Sequence, residues 1–146
     1  MKHFFTILLL SFSGIVWAQP DASDFWNQLT DEDVYELTMF SQGCFHTESK
    51  TVTITRNGDS FISQFQEQGK DKQSKMLNTS ELVLIDNLRA ELSSKPASIG
   101  LCTTSTSYIV KLNGKMLTTF VDSSCSGWNG YSKLIQQLFP KTDMVS

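Results

Sequence analysis

Residues 102–125, CTTSTSYIVKLNGKMLTTFVDSSC, decide how this chain is read. Asn113-Gly114 stands midway between two alternating runs, and Asn-Gly is the strongest short hairpin signal because a type I′ turn needs positive φ at both central positions. With that pair as the loop, Leu112 faces Lys115, Val110 faces Leu117 and Tyr108 faces Thr119. Carried outward without a bulge, the register sets Cys102 opposite Cys125, on the side of Tyr108, Val110 and Leu117. Their Cα atoms would then lie ~5.5 Å apart, within the range a disulfide bridges. The cysteine bracket therefore reads as a staple on a hairpin, with ~3 kcal/mol of restriction placed on the unfolded chain.

The same signature occurs earlier. In TVTITRNGDSFISQF, residues 51–65, a loop at Asn57-Gly58 pairs Arg56 with Asp59, Ile54 with Phe61 and Val52 with Ser63. Val52, Ile54, Phe61 and Phe65 share one face, and Thr53, Thr55 and Ser60 the other, the split of an antiparallel sheet with one wet side. VYELTMF, residues 34–40, alternates as a further strand, although TDED before it also resembles a helix start. The segment around Phe25, Trp26 and Leu29 is either a short helical turn or a loosely docked arm. QEQGKDKQSK, residues 66–75, is a polar connection. Beyond it, Leu82, Ile85, Leu88 and Leu92 recur at helical spacing after a cap at Asn78, Thr79 or Ser80, and the helix ends before Pro96. A second helix spans 130–139, with Tyr131, Leu134, Ile135 and Leu138 on one stripe and Pro140 as its stop. Hairpin then helix, twice, predicts an α+β fold: a single antiparallel sheet built from two Asn-Gly hairpins plus one further strand, with two helices packed on one face.

The first residues, MKHFFTILLLSFSGIVWAQP, combine one charge at Lys2, an apolar run and a small-x-small-like Val16-Trp17-Ala18. That pattern predicts a signal peptide over 1–18, and the run is too interrupted to reach the ~20 apolar residues of a membrane span. An arm or short helix over 19–33 and one α+β domain over 34–146 follow. Removing the first 18 of 146 residues leaves 128, and loss of Lys2 moves the formal charge from −3 to −4. Scattered Lys and Arg make nucleic acid an unsuitable ligand, and a mildly acidic surface suits a basic protein partner better. An exported chain meets an oxidising compartment, here the periplasm, which agrees with the staple.

Catalytic chemistry is sparse in the sequence. His46 is the single histidine after cleavage, and Cys44 is the cysteine left over. Cys44 reads as an inert thiol, as an intermolecular bridge in a homodimer, or as a nucleophile with His46, since two residues apart on a strand would point both side chains the same way. Neither an oxyanion-hole motif nor a Gly-rich elbow accompanies them. Cys44, His46, Cys102 and Cys125 have zinc-ligand chemistry without Cys-x-x-Cys spacing, so neither a metal nor a cofactor is expected. SSCSGWNGY, residues 123–131, follows the staple and carries Trp128 with Ser126 and Asn129 beside it, a candidate binding loop. Trp128 reads equally as a residue packed under the sheet.

VYELTMFSQGCFHTESKTVTITRNGDSF, residues 34–61, resembles the opening of a family of uncharacterised bacterial exported domains. The family pattern is a strand, Gly-Cys-Phe-Gly-x-Cys-Pro-x-Tyr, a strand and an Asp-Gly or Asn-Gly turn. Gly43, Cys44, Phe45 and Asn57-Gly58 match it, whereas His46, Glu48 and Ser49 replace its second glycine, second cysteine and proline. The resemblance implies the α+β arrangement and no particular activity. The expectation is thus a periplasmic, non-enzymatic inhibitor or immunity-type protein that neutralises an envelope hydrolase or toxin. The alternative is a small-ligand or thiol-dependent catalytic domain using Cys44 and His46.

Overall fold

The computed structural model describes residues 22–96, 100 and 102–140. The signal-peptide assignment over 1–18 lies outside the described residues. Three helices and six strands follow in the order α1 (Ala22–Asn27), β1 (Val34–Gln42), β2 (Thr47–Asn57), β3 (Ser60–Glu67), β4 (Gln73–Leu77), α2 (Thr79–Ser94), β5 (Ser105–Leu112), β6 (Lys115–Asp122) and α3 (Gly130–Leu138). The strands form a single antiparallel sheet ordered β4-β3-β2-β1-β5-β6. The α+β reading stands, with one strand more than the sequence predicts, and α1 takes the short-helix alternative read over 19–33.

The extra strand is β4, which begins at the end of the stretch read as a polar connection and runs past it to Leu77. Only Leu77 of its five residues is buried, so no apolar alternation announces it. The first hairpin is also displaced. Asn57 pairs with Ser60, Arg56 with Phe61, Ile54 with Ser63 and Val52 with Phe65, so the loop is Gly58-Asp59. Gly58 takes φ +60, and Asp59 has no positive φ, which is the type II′ arrangement with Gly first. The Gly58 N–H donates to Asp31 Oδ1 at 3.0 Å, and Arg56 donates to the carbonyls of Asn27, Leu29 and Gly58, so contacts with the N-terminal segment hold this register. Each strand partner moves by two positions, which leaves the faces unchanged, and Val52, Ile54, Phe61 and Phe65 are all buried.

The second hairpin turns at Asn113-Gly114 as expected, with φ +52 and +75. Its register then shifts. Lys111 pairs with Met116 but Val110 with Thr118, so Leu117 is passed over by a β-bulge. Leu117, expected inward, is 42 % exposed, and Phe120 stacks on Tyr108 at 5.9 Å instead of Thr119 facing it. The bulge also removes the cysteines from the ladder. Cys102 and Cys125 lie beyond the ends of β5 and β6, where a disulfide joins them with Cα atoms 5.3 Å apart.

One core unites the elements. Tyr35, Leu37, Val52, Ile54 and Val110 from the sheet meet Ile85 and Leu92 of α2 and Tyr131 and Leu138 of α3, all with at most 1 % exposure. The α2 N-terminus is a capping box: Asn78 Oδ1 accepts the Glu81 N–H, and Glu81 Oε2 accepts the Asn78 N–H. The segment read as a turn or loose arm packs firmly. Trp26 and Leu29 are 2 % and 5 % exposed, and Trp26 meets Tyr35 edge-on at 5.2 Å. Asn113 fastens the same segment from the other hairpin. Its side chain accepts the Val34 N–H at 2.8 Å and donates to Asp33 at 2.6 Å.

Candidate functional site

The register gathers three loops at one end of the sheet. Gln42 pairs with both Thr47 and Ser105, and Thr106 pairs with Asp122. The β1–β2 connection 43–46, the approach to β5 at 102–104 and the loop 123–129 therefore all leave from the same end. The sequence placed Cys44 and His46 on one strand; they lie in the turn instead, because β1 stops at Gln42 and β2 starts at Thr47.

This turn is closed and ordered by backbone chemistry. The Gly43 N–H donates to the His46 carbonyl at 2.9 Å, leaving Cys44 and Phe45 as its two apical residues. Gly43 is closely approached by side chains: a Cβ there would stand 2.8 Å from His46 Cε1 and 2.9 Å from Thr104 Oγ1, so the imidazole or the threonine would have to shift. At the apex Cys44 is a free, exposed thiol, and Phe45 is 101 % exposed. Phe45 was missed in the sequence as a site residue. The signal available was an aromatic residue breaking the alternation between two strands, inside a polar stretch just after Gly43.

Trp128 is fastened on every side. Its backbone N–H donates to Asp122 Oδ2 at 2.5 Å, its carbonyl accepts the Tyr108 hydroxyl at 2.9 Å, and its indole N–H donates to Glu91 Oε1 at 2.9 Å. The ring meets Tyr108 and Phe120 edge-on at 4.7 and 5.9 Å, Lys95 Nζ lies 5.3 Å over it, and a Cβ on Gly130 would run into it. Burial first, then the Asp122 carboxylate, pushes the Tyr108 phenol up to about 12, so it remains a donor across the physiological range. Trp128 is half-buried, whereas Ser126 and Asn129 beside it are exposed. Asp122 also accepts the Ser124 N–H at 2.9 Å, and the Gly127 φ of +64 completes the turn.

A cleft of about 230 Å³ runs along the disulfide, lined by Thr104, Thr106, Ser124, Ser126 and both bridged cysteines. It is smaller than the ~300–1,000 Å³ of ordinary ligand pockets. A larger groove of about 430 Å³ lies between α3 and the β2–β4 end of the sheet. Its floor is core: Phe65, Tyr131 and Phe139 are each at most 9 % exposed. Among the described residues no three His, Cys, Asp or Glu side chains converge as a metal site, and the disulfide takes Cys102 and Cys125 out of any ligand set. No described helix is long and apolar enough to cross a membrane. The chain matches no protein-family model and none of the curated proteins.

Proposed function

We propose that this chain is an exported, non-enzymatic binding protein of the periplasm that neutralises an envelope hydrolase or toxin by inserting its β1–β2 turn into that partner. The observation that carries the reading is Phe45, fully exposed at the apex of a turn whose backbone is already closed. An aromatic ring presented on a turn with a closed backbone leaves mainly its own rotamers to be ordered on docking, which suits an interface anchor. Ser126, Asn129 and the cleft along the disulfide form the rim around it, and Trp128 supports the rim from below. The disulfide supports an oxidising compartment, and the formal charge of −3 favours a basic partner.

The test is affinity capture from envelope extract with the oxidised chain from Gln19 onward, read by mass spectrometry and followed by assay of the captured partner. One stoichiometric partner, inhibited by the parent and bound at least ~tenfold more weakly by Phe45→Ala, is expected. Capture of nothing specific, or equal binding by Phe45→Ala, rejects the reading. The exposure of Cys44 favours one second reading, a reactive thiol beside His46. Reaction of Cys44 with a disulfide reagent no faster than a free model thiol would dispose of it.

A further inference from the structure

The two edges of the sheet are not equivalent. β4 is five residues long, carries Lys75 and follows Lys72, which are ordinary guards against strand pairing. β6 is eight residues long and bears no charge between Lys115 and Asp122. Of the seven large hydrophobic side chains exposed among the described residues, Met116, Leu117 and Val121 all lie on β6. Among those residues no strand pairs with its outer edge. We propose that a second copy of this chain pairs there, β6 against β6 in antiparallel sense, joining two six-stranded sheets into one.

Self-complementarity selects the register. Centred on Thr119, the pairing sets Leu117 opposite Val121 of the second copy, the reciprocal pair opposite each other, and Thr119 opposite Thr119. Aliphatic and Thr–Thr pairs are favourable cross-strand neighbours. This register also keeps Thr118 and Phe120 on the helix side of both sheets, so the core faces continue across the junction. A pairing centred one residue earlier puts Lys115 against Val121. One centred a residue later pairs only residues 118–122 within β6 and takes Leu117 away from Val121. The bulge contributes by releasing Leu117 from its partner on β5. The interface is separate from the turn at Phe45, so either assignment stands or falls alone.

Sedimentation velocity on the Cys44→Ser chain from about 1 to 500 μM tests the association without thiol bridges. A small interface of this kind gives a concentration-dependent monomer–dimer equilibrium within that range, and Val121→Lys weakens it at least ~tenfold. In the same background, Thr119→Cys forms a disulfide-linked dimer on mild oxidation, since either type of antiparallel pair brings Cα atoms to ~4.5–5.5 Å. Ser74→Cys on the β4 edge remains monomeric. A monomer throughout the concentration range, a Val121→Lys chain that associates like the parent, or crosslinking through residue 74 in place of 119 overturns the proposal.

Discussion

Trp128→Ala removes a folding contact, and its size follows from the geometry. Two edge-on ring contacts, to Tyr108 at 4.7 Å and Phe120 at 5.9 Å, are lost, each worth ~0.5–1.5 kcal/mol beyond burial. The indole N–H bond to Glu91 and the Lys95 contact add less, because both lie toward solvent. With the area of a half-buried ring included, the loss is about 3 kcal/mol, the low end for Trp→Ala. Phe45 touches almost nothing, and Phe45→Ala should stay within about 0.5 kcal/mol of the parent. Urea unfolding followed by far-ultraviolet circular dichroism separates them. At a slope of ~2 kcal/mol per M, the Trp128→Ala midpoint falls by about 1.5 M, and that of Phe45→Ala is unmoved. A Trp128→Ala midpoint within ~0.3 M of the parent would refute the packing argument. Because Trp128→Ala also loosens the loop that carries Ser126 and Asn129, lost binding in that variant cannot identify a contact; Phe45→Ala can.

The disulfide closes a segment of sequence separation 23, so Cys102→Ser/Cys125→Ser should lose about 3 kcal/mol in the same assay; an unchanged midpoint would show the ladder alone restrains these ends. Glu81 supplies a pH signature. Burial raises its pKa, but hydrogen bonds from Lys75 and from the Asn78 N–H more than offset this and hold it below the usual carboxylate range. Its charge therefore stabilises the fold above the unfolded-state value and ceases to do so as pH falls through the folded value. Glu81→Gln should be less stable than the parent by about 1 kcal/mol near neutrality, with the gap closing as pH falls from the unfolded-state carboxylate value through the lower folded one. A gap that persists at about pH 2 would assign the effect to shape and not to charge.

The parts of this fold legible in the sequence are those governed by local periodicity. Alternation placed β2, β3, β5 and β6, helical spacing placed α2 and α3, and Asn113-Gly114 placed its turn. What escaped depends on partners distant along the chain. Asn57-Gly58 carries the same two letters, yet hydrogen bonds to Asp31 and to the Asn27 and Leu29 carbonyls slide its loop onto Gly58-Asp59. The bulge opposite Val110 and Lys111 has no sequence mark, and without it Leu117 would face inward. β4 forms because β3 offers an edge, since its first three residues are polar and only Leu77 is buried. At the end of the sheet that carries the candidate site, the disulfide was readable from the cysteine bracket, but Phe45 was hidden because an apolar residue between strands is usually read as part of one. Trp128 could be read both ways until its three hydrogen bonds were seen.

The position of β1 bears on how the chain reaches this state. It is the first of the described strands along the chain, yet it lies at the centre of the sheet, between β2 and β5. Leu37 meets Val52 early, but its other neighbour, Val110, is synthesised only after β3, β4 and α2. During that interval a four-stranded half-sheet can assemble with one side of β1 unpaired, exposing a row of backbone donors and acceptors next to Tyr35, Leu37 and Met39. Long-range closure of this kind is slow, and an open central edge invites pairing with the wrong strand. The vulnerable species is therefore the half-made chain, and a holdase that covers β1 until β5 arrives would raise the yield of native protein without changing its final stability.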